Sequence, residues 1–312
     1  MLHLHIVCPA EATEAALEQL CNNPGVANLV IVRDAAVGNR GDLIEADVAR
    51  EAADDVLAGL CGLDIDRLGA ITLHPLDTVL SDAADRAQRV APGDPADAVV
   101  WEELIARTGD DSRLSLTFLA FLILACLIAV VGVVTDSPVT VIGAMVVGPE
   151  FAPLAASAVG LVLRRWDLVR RAVIALGVGF PVAMLIAAGG ALLGEWTGLI
   201  EVDAVRSADQ VDFIYQVGPF SLILALLAGA AGMLSLTSAK SAALVGVFIS
   251  VTTVPAAAFA VVAATTGDWR TAAESALQLV VNLIGIVLAS VLVLVLRTRR
   301  YGADLRRPLA EG

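Results

Sequence analysis

Six apolar segments set what this 312-residue chain can become: about 115–134, 139–163, 172–193, 214–236, 242–265 and 276–296. Each approaches or exceeds the roughly 20 residues that a helix needs to cross a bilayer. Hydrocarbon offers backbone groups no partners, so such segments are restricted to helices or to breaks sheltered by protein. The reading is a polytopic α-helical membrane domain over 114–296, and the lipid bilayer is its first partner.

Basic residues orient the segments. Arg107 and Arg113 precede the first, Arg164, Arg165, Arg170 and Arg171 separate the second from the third, and Lys240 separates the fourth from the fifth. Arg297, Arg299, Arg300, Arg306 and Arg307 follow the sixth, in a basic tail over 297–312. The alternate loops hold only Arg206 and Arg270, and the loop before the fourth segment is acidic. Both termini are expected on the cytoplasmic side.

Two segments are interrupted. The second carries Gly143, Gly148, Pro149 and Pro153, and the fifth carries Gly246 and Pro255. Proline removes a backbone donor and breaks a helix. Span, broken span, span, repeated from the opposite side, is a possible three-plus-three inverted repeat, the pattern that places a transporter's site near the midplane. Packing kinks are the plainer alternative, and whether the broken segments cross fully or re-enter stays open. Glu150 is the one acidic residue deep inside an apolar segment, where a charge must face a cavity, a cation or a proton. Thr252 and Thr253 lie just before Pro255, so if the breaks meet, these hydroxyls and Glu150 line one site, with Asn282 a candidate from the last segment. Ser157, Ser250 and Gln278 are also polar at membrane depth, where helix–helix hydrogen bonding is the bland reading.

The N-terminal part differs. Residues 1–113 hold 21 Asp/Glu against 8 Lys/Arg, the whole formal charge of −13, while 114–312 balance at 12 each. Such an acidic part repels nucleic acid. Residues 1–75 read as β-α-β-β-α-β, with a turn at Gly38-Asn39, the order of a ferredoxin-like α+β sandwich. By alternation His3, His5 and His74 share one sheet face with Glu45 and Asp47, a set that could take a divalent metal ion. The same residues could equally solvate the sheet or line a contact in a homo-oligomer. Residues 76–96 read as a linker with Pro92-Gly93 and Pro95 as breakers. DAVVWEELIARTG then reads as an amphipathic helix at the membrane interface, so that 76–113 join the two parts. Cys8, Cys21, Cys61 and Cys126 lack metal or disulfide spacing.

TDSPVTVIGAMVVGPEFAPLAASAVGLVLRR, SLTSAKSAALVGVFISVTTVPAAA and GDWRTAAESALQLVVNLIGIVLAS resemble the DUF389 family of bacterial membrane proteins. The likeness covers about 101–296, including WEEL and the Arg-Leu-Ser approach to the first segment. The family's common form has Asn-Ser-Pro before the broken helix and Leu after its proline. Here Asp136-Ser137-Pro138 and Glu150 stand instead, so a role for Glu150 does not extend to the family as a whole. The resemblance implies a multi-pass protein of the bacterial cytoplasmic membrane and no established activity. A transporter or channel for a small ion or solute is the expectation, with a membrane-anchored sensor or scaffold as the alternative. An enzyme is not expected, because the membrane part has no HExxH, Asp dyad or His/Cys pair.

Overall fold

The computed structural model describes residues 1–37, 41–76, 78–91, 93, 98–198, 219–238, 246–247 and 251–301. The expected turn at Gly38-Asn39, both linker prolines (Pro92 and Pro95), most of the acidic loop, Lys240 and Ser250 lie outside them. The chain divides into two compact units, residues 1–104 with 301–312, and residues 105–300.

In the first unit, strand β1 (Leu2–Pro9) alternates buried and half-buried residues, and Leu2, Leu4, Ile6 and Cys8 face inward. Period-two alternation is what a one-faced sheet demands. Helix α1 (Thr13–Asn22), strands β2 (Val26–Ala36) and β3 (Gly41–Val48), helices α2 (Ala53–Gly62) and α3 (Ile65–Leu68), and strand β4 (Ala70–Pro75) come next along the chain. The four strands order as β2-β3-β1-β4, every neighbouring pair antiparallel. Ala16, Leu20, Val56, Leu57 and Leu60 of the helices close the core over Leu4, Ile6 and Ile44. Within β2, Asp34 adopts φ 55° at a register irregularity, and its N–H donates to Asp42 Oδ1 at 2.9 Å.

The segment read as a linker contains a helix, α4 (Asp82–Val90). Ser81 caps it by accepting from the Ala84 N–H, and Ala84 and Ala87 pack on Ala27 of β2. Small alanines at i and i+3 carry little hydrophobic signal amid charged neighbours, which hid this face. Helix α5 (Trp101–Asp111) starts inside the same unit. Its first turn packs within this unit: Val100 joins the core, Trp101 is buried, and Arg50 pairs with Glu103 at 3.0 Å.

In the second unit, α6 (Leu116–Val134) is capped by Ser115. Then come α7 (Pro138–Val147), α8 (Phe151–Val162), α9 (Trp166–Trp196), α10 (Pro219–Thr237), α11 (Thr253–Thr265) and α12 (Trp269–Tyr301). Four helices, α6, α9, α10 and α12, are each long and apolar enough to cross a membrane, and α7 with α8 makes a fifth candidate bent by 50°. The sequence count of six exceeds this, because the fifth segment presents only a 13-residue helix, α11, among the described residues. At 1.5 Å per residue α11 reaches about 20 Å, short of the ~30 Å hydrocarbon core. The 31 residues of α9 reach about 46 Å, close to a bilayer with its headgroups, and exposed Trp166 and Trp196 mark its two ends.

Candidate functional site

The two interruptions resolve into helix starts rather than kinks. Glu150 is the N-cap of α8 and Thr252 the N-cap of α11. Pro153 and Pro255 each occupy the third position of their helix. There an amide hydrogen has no helical acceptor, so proline costs nothing in hydrogen bonding. Both half-helices are buried nearly all round, α8 at every position from Pro153 to Gly160 and α11 from Thr253 to Ala263. A helix apolar on every face belongs in the middle of a bundle, and α11 packs against α6, α7 and α9 there.

The breaks meet. The Thr253 hydroxyl donates to Glu150 Oε1 at 2.7 Å, although 103 residues separate them. Glu150 is 2% exposed, and its Oε2 has no hydrogen-bond partner among the described residues. Gly148 sits against this carboxylate: a Cβ there would collide with Glu150 Oε2 and come 3.0 Å from Val254 Cγ2. A side chain at that point would displace the carboxylate from its place between the helix starts. Phe151, beside Glu150, occupies the space a Cβ on Gly232 of α10 would fill.

Thr252 joins a second set of contacts. Asn282 of α12 donates from Nδ2 to Thr252 Oγ1 at 2.9 Å. Ser221 of α10 donates to Asn282 Oδ1 at 3.1 Å, and Gln278 Nε2 donates to Ser221 Oγ at 2.9 Å. Asn282 thus enters the assembly through Thr252 rather than by touching Glu150. Ser221 is not among the residues that sequence alone singles out; a lone serine near the start of an apolar segment gives no signal of its partners. Gln278, read only as polar at depth, is part of the same chain of bonds. Gly143 stays apart, inside α7 with open space around its missing Cβ, and Ser157 bonds back to the Pro153 carbonyl at 2.9 Å.

On the sheet, register places His3 between Asp47 and His74, and His5 between Glu45 and Thr72. His3 Nδ1 pairs with Asp47 Oδ1 at 3.0 Å, and His5 Nδ1 with Glu45 Oε1 at 3.2 Å. Among the described residues no three His, Cys, Asp or Glu side chains are arranged to hold a metal ion. The five residues do share a face, as two imidazole–carboxylate pairs beside His74.

Four long apolar helices and one bent pair have the length and composition of membrane spans, and two buried half-helices meet among them at a carboxylate. Residues 145–288, from the end of α7 into α12, match the family model described as a domain of unknown function, DUF389. No curated protein and no solved structure matches the chain.

Proposed function

We propose that the chain is a transporter or channel of the bacterial cytoplasmic membrane for a small solute, cationic or proton-coupled, with its site at Glu150. The observation that carries this reading is the Thr253–Glu150 hydrogen bond between two half-helix starts from separate halves of the sequence. Helix N-termini present backbone donors and partial positive charge. That partial charge favours a buried carboxylate where hydrocarbon would not, and broken helices of this kind build midplane sites in secondary transporters. The free Oε2 of Glu150 is the atom left for a proton or a cation. Six segments in a three-plus-three inverted repeat, with both termini cytoplasmic by their basic residues, form the scaffold of this reading. The strand order β2-β3-β1-β4 supports a ferredoxin-like domain, which in this reading regulates the membrane domain, and a homo-oligomer is the expected assembly.

Purified chain in liposomes should pass protons or a small cation, and Glu150→Gln should abolish or uncouple that flux. Absence of flux for every cation and for protons would reject the reading. The alternative, an anchored sensor, is favoured by the imidazole–carboxylate face of the sheet. It predicts divalent-metal binding lost in His3→Ala and His74→Ala, and unaltered binding by calorimetry would reject it.

A further inference from the structure

One face of α12 is buried from Ser275 to Leu294. Ser275, Gln278 and Asn282 come at spacings of three and four, and Ile286, Ser290 and Leu294 continue the row. The opposite face, with Leu277, Val280, Ile284 and Leu288, is exposed and apolar. The polar part of the row therefore faces protein and not lipid. Its depth is informative. Exposed Trp269 opens α12, and tryptophan favours the membrane–water interface. At 1.5 Å per residue, Ser275 lies about 9 Å along the axis from Trp269 and Asn282 about 20 Å. The row thus runs from near one interface toward the middle of a ~30 Å hydrocarbon core. There Asn282 donates to Thr252, and the next residue, Thr253, donates to Glu150.

Hydroxyls in this row behave unlike others in the bundle. Ser157 donates to the Pro153 carbonyl, Thr237 to that of Met233 and Thr298 to that of Leu294. Bonding back to the preceding turn is the usual recourse of a hydroxyl in an apolar helix. Ser221 instead donates across to Asn282 and accepts from Gln278. Ser275 is 0% exposed, and its Oγ has no hydrogen-bond partner among the described residues, not even the Thr271 carbonyl one turn back. A bare buried hydroxyl is costly where an apolar residue would fit. A bare oxygen thus stands at each end of the row: Ser275 Oγ toward the interface, and Glu150 Oε2 at the helix starts. Polar groups converging from three helices are what a buried water requires, since it takes about two to four such partners.

We propose that Ser275, Gln278, Ser221, Asn282 and Thr252 line the path by which water, and a proton with it, reaches Glu150 from the non-cytoplasmic side. The lining is uncharged, which suits water better than a bare metal cation. The Asn282–Thr252 bond is the closed latch of this path. Water can replace either partner with a bond nearly as good, so opening leaves neither side chain unsatisfied. The basic residues put the Trp269 end of α12 outside. The inference deepens the transporter reading above, rests on its membrane orientation, and adds the side of entry.

Labelling with a membrane-impermeant cationic thiol reagent, on the full chain in right-side-out vesicles, tests the path. The four native cysteines set the background. Ser275→Cys and Thr252→Cys should react from outside at least about tenfold faster than Ser290→Cys, because a wetted thiol ionises and a dry one does not. Ser290 is the matched control: it is buried on the same row beyond Ile286, with its hydroxyl on the Gly229 carbonyl. Adding Asn282→Ala should speed Thr252→Cys further and leave Ser290→Cys unchanged. Equal rates at the three positions overturn the proposal, as does labelling of Thr252→Cys from inside alone. Ser275→Ala supplies a second arm. Having lost a bare hydroxyl, it should melt no lower than the wild type, while proton uptake slows. Unaltered uptake, in a wild type that conducts protons, overturns the path and leaves the transporter reading intact. A wild type that passes nothing rejects the transporter reading, and the order of labelling rates still decides the path.

Discussion

Thr253 Oγ1 and Glu150 Oε1 lie 2.7 Å apart and tie the first turn of α11 to the first turn of α8. Thr253→Val keeps the shape and removes the donor. Both carboxylate oxygens would then lack a partner among the described residues, at a cost of about 1–3 kcal/mol. Thr253→Ser keeps the donor and should stay close to the wild type. Thermal unfolding in detergent compares them, and equal midpoints for the two variants would show that this bond contributes nothing.

Asn282 links α10, α11 and α12 through Ser221 and Thr252. Asn282→Ala should destabilise by about 0.5–1.5 kcal/mol for each bond lost, since two half-buried hydroxyls lose a partner. Because Thr252 belongs to the same network, Asn282→Ala and Thr252→Ala should be non-additive by at least about 0.5 kcal/mol. A double-mutant cycle that closes additively would contradict the coupling.

Two glycines separate packing from conformation. A Cβ on Gly229 of α10 would stand 2.5 Å from the Ile286 carbonyl oxygen and 2.8 Å from its Cα, both backbone atoms that cannot rotate away. Gly229→Ala should cost about 1–3 kcal/mol by forcing α10 from α12. Gly143→Ala in α7 meets nothing within 4 Å and should be neutral or stabilising, by up to about 1 kcal/mol. The two melting midpoints must move differently, and a common shift would refute the close approach of α10 and α12.

The acidic unit carries a pH dependence. Asp54 of α2 accepts from the Trp101 N–H at 3.3 Å, at the start of α5. Burial, and then the neighbouring Glu102 carboxylate, push the Asp54 carboxyl from 3.8 up to about 7. Burial raises Glu102 as well. For a carboxyl raised on folding, the folded state holds the extra proton between the unfolded and folded values. Stability from this group is therefore present at acidic pH and falls as pH rises from about 4 through about 7. The midpoint of the full chain, less that of Asp54→Asn, should drop across that window. A difference that is level or rises with pH would contradict the assignment.

The long apolar helices and the shared face of His3 and His74 were legible because both rest on periodicity. A carboxylate in an apolar run has few physical options, so Glu150 stood out, but its contact with Thr253 followed only if the two breaks met. What escaped was carried by small residues. Ala84 and Ala87 build the face of α4, and Ser221 completes the contacts of Asn282. Their side chains contribute too little hydrophobic or polar signal to stand out before their neighbours are known. Proline misled in another way: its presence marks an interruption, but not whether it sits within a helix or in the first turn of a new one.

The bend between α7 and α8 also has a cause in its prolines. Straightening the pair into one rod would put Pro149 and Pro153 in a helix interior, where neither can donate to the carbonyl four residues back, at Met145 and at Pro149 itself. Ring clash would add to the loss, about 3 kcal/mol or more for each proline. The two prolines thus favour the elbow from the covalent chain itself, and a bent α7–α8 pair needs no occupant to explain it.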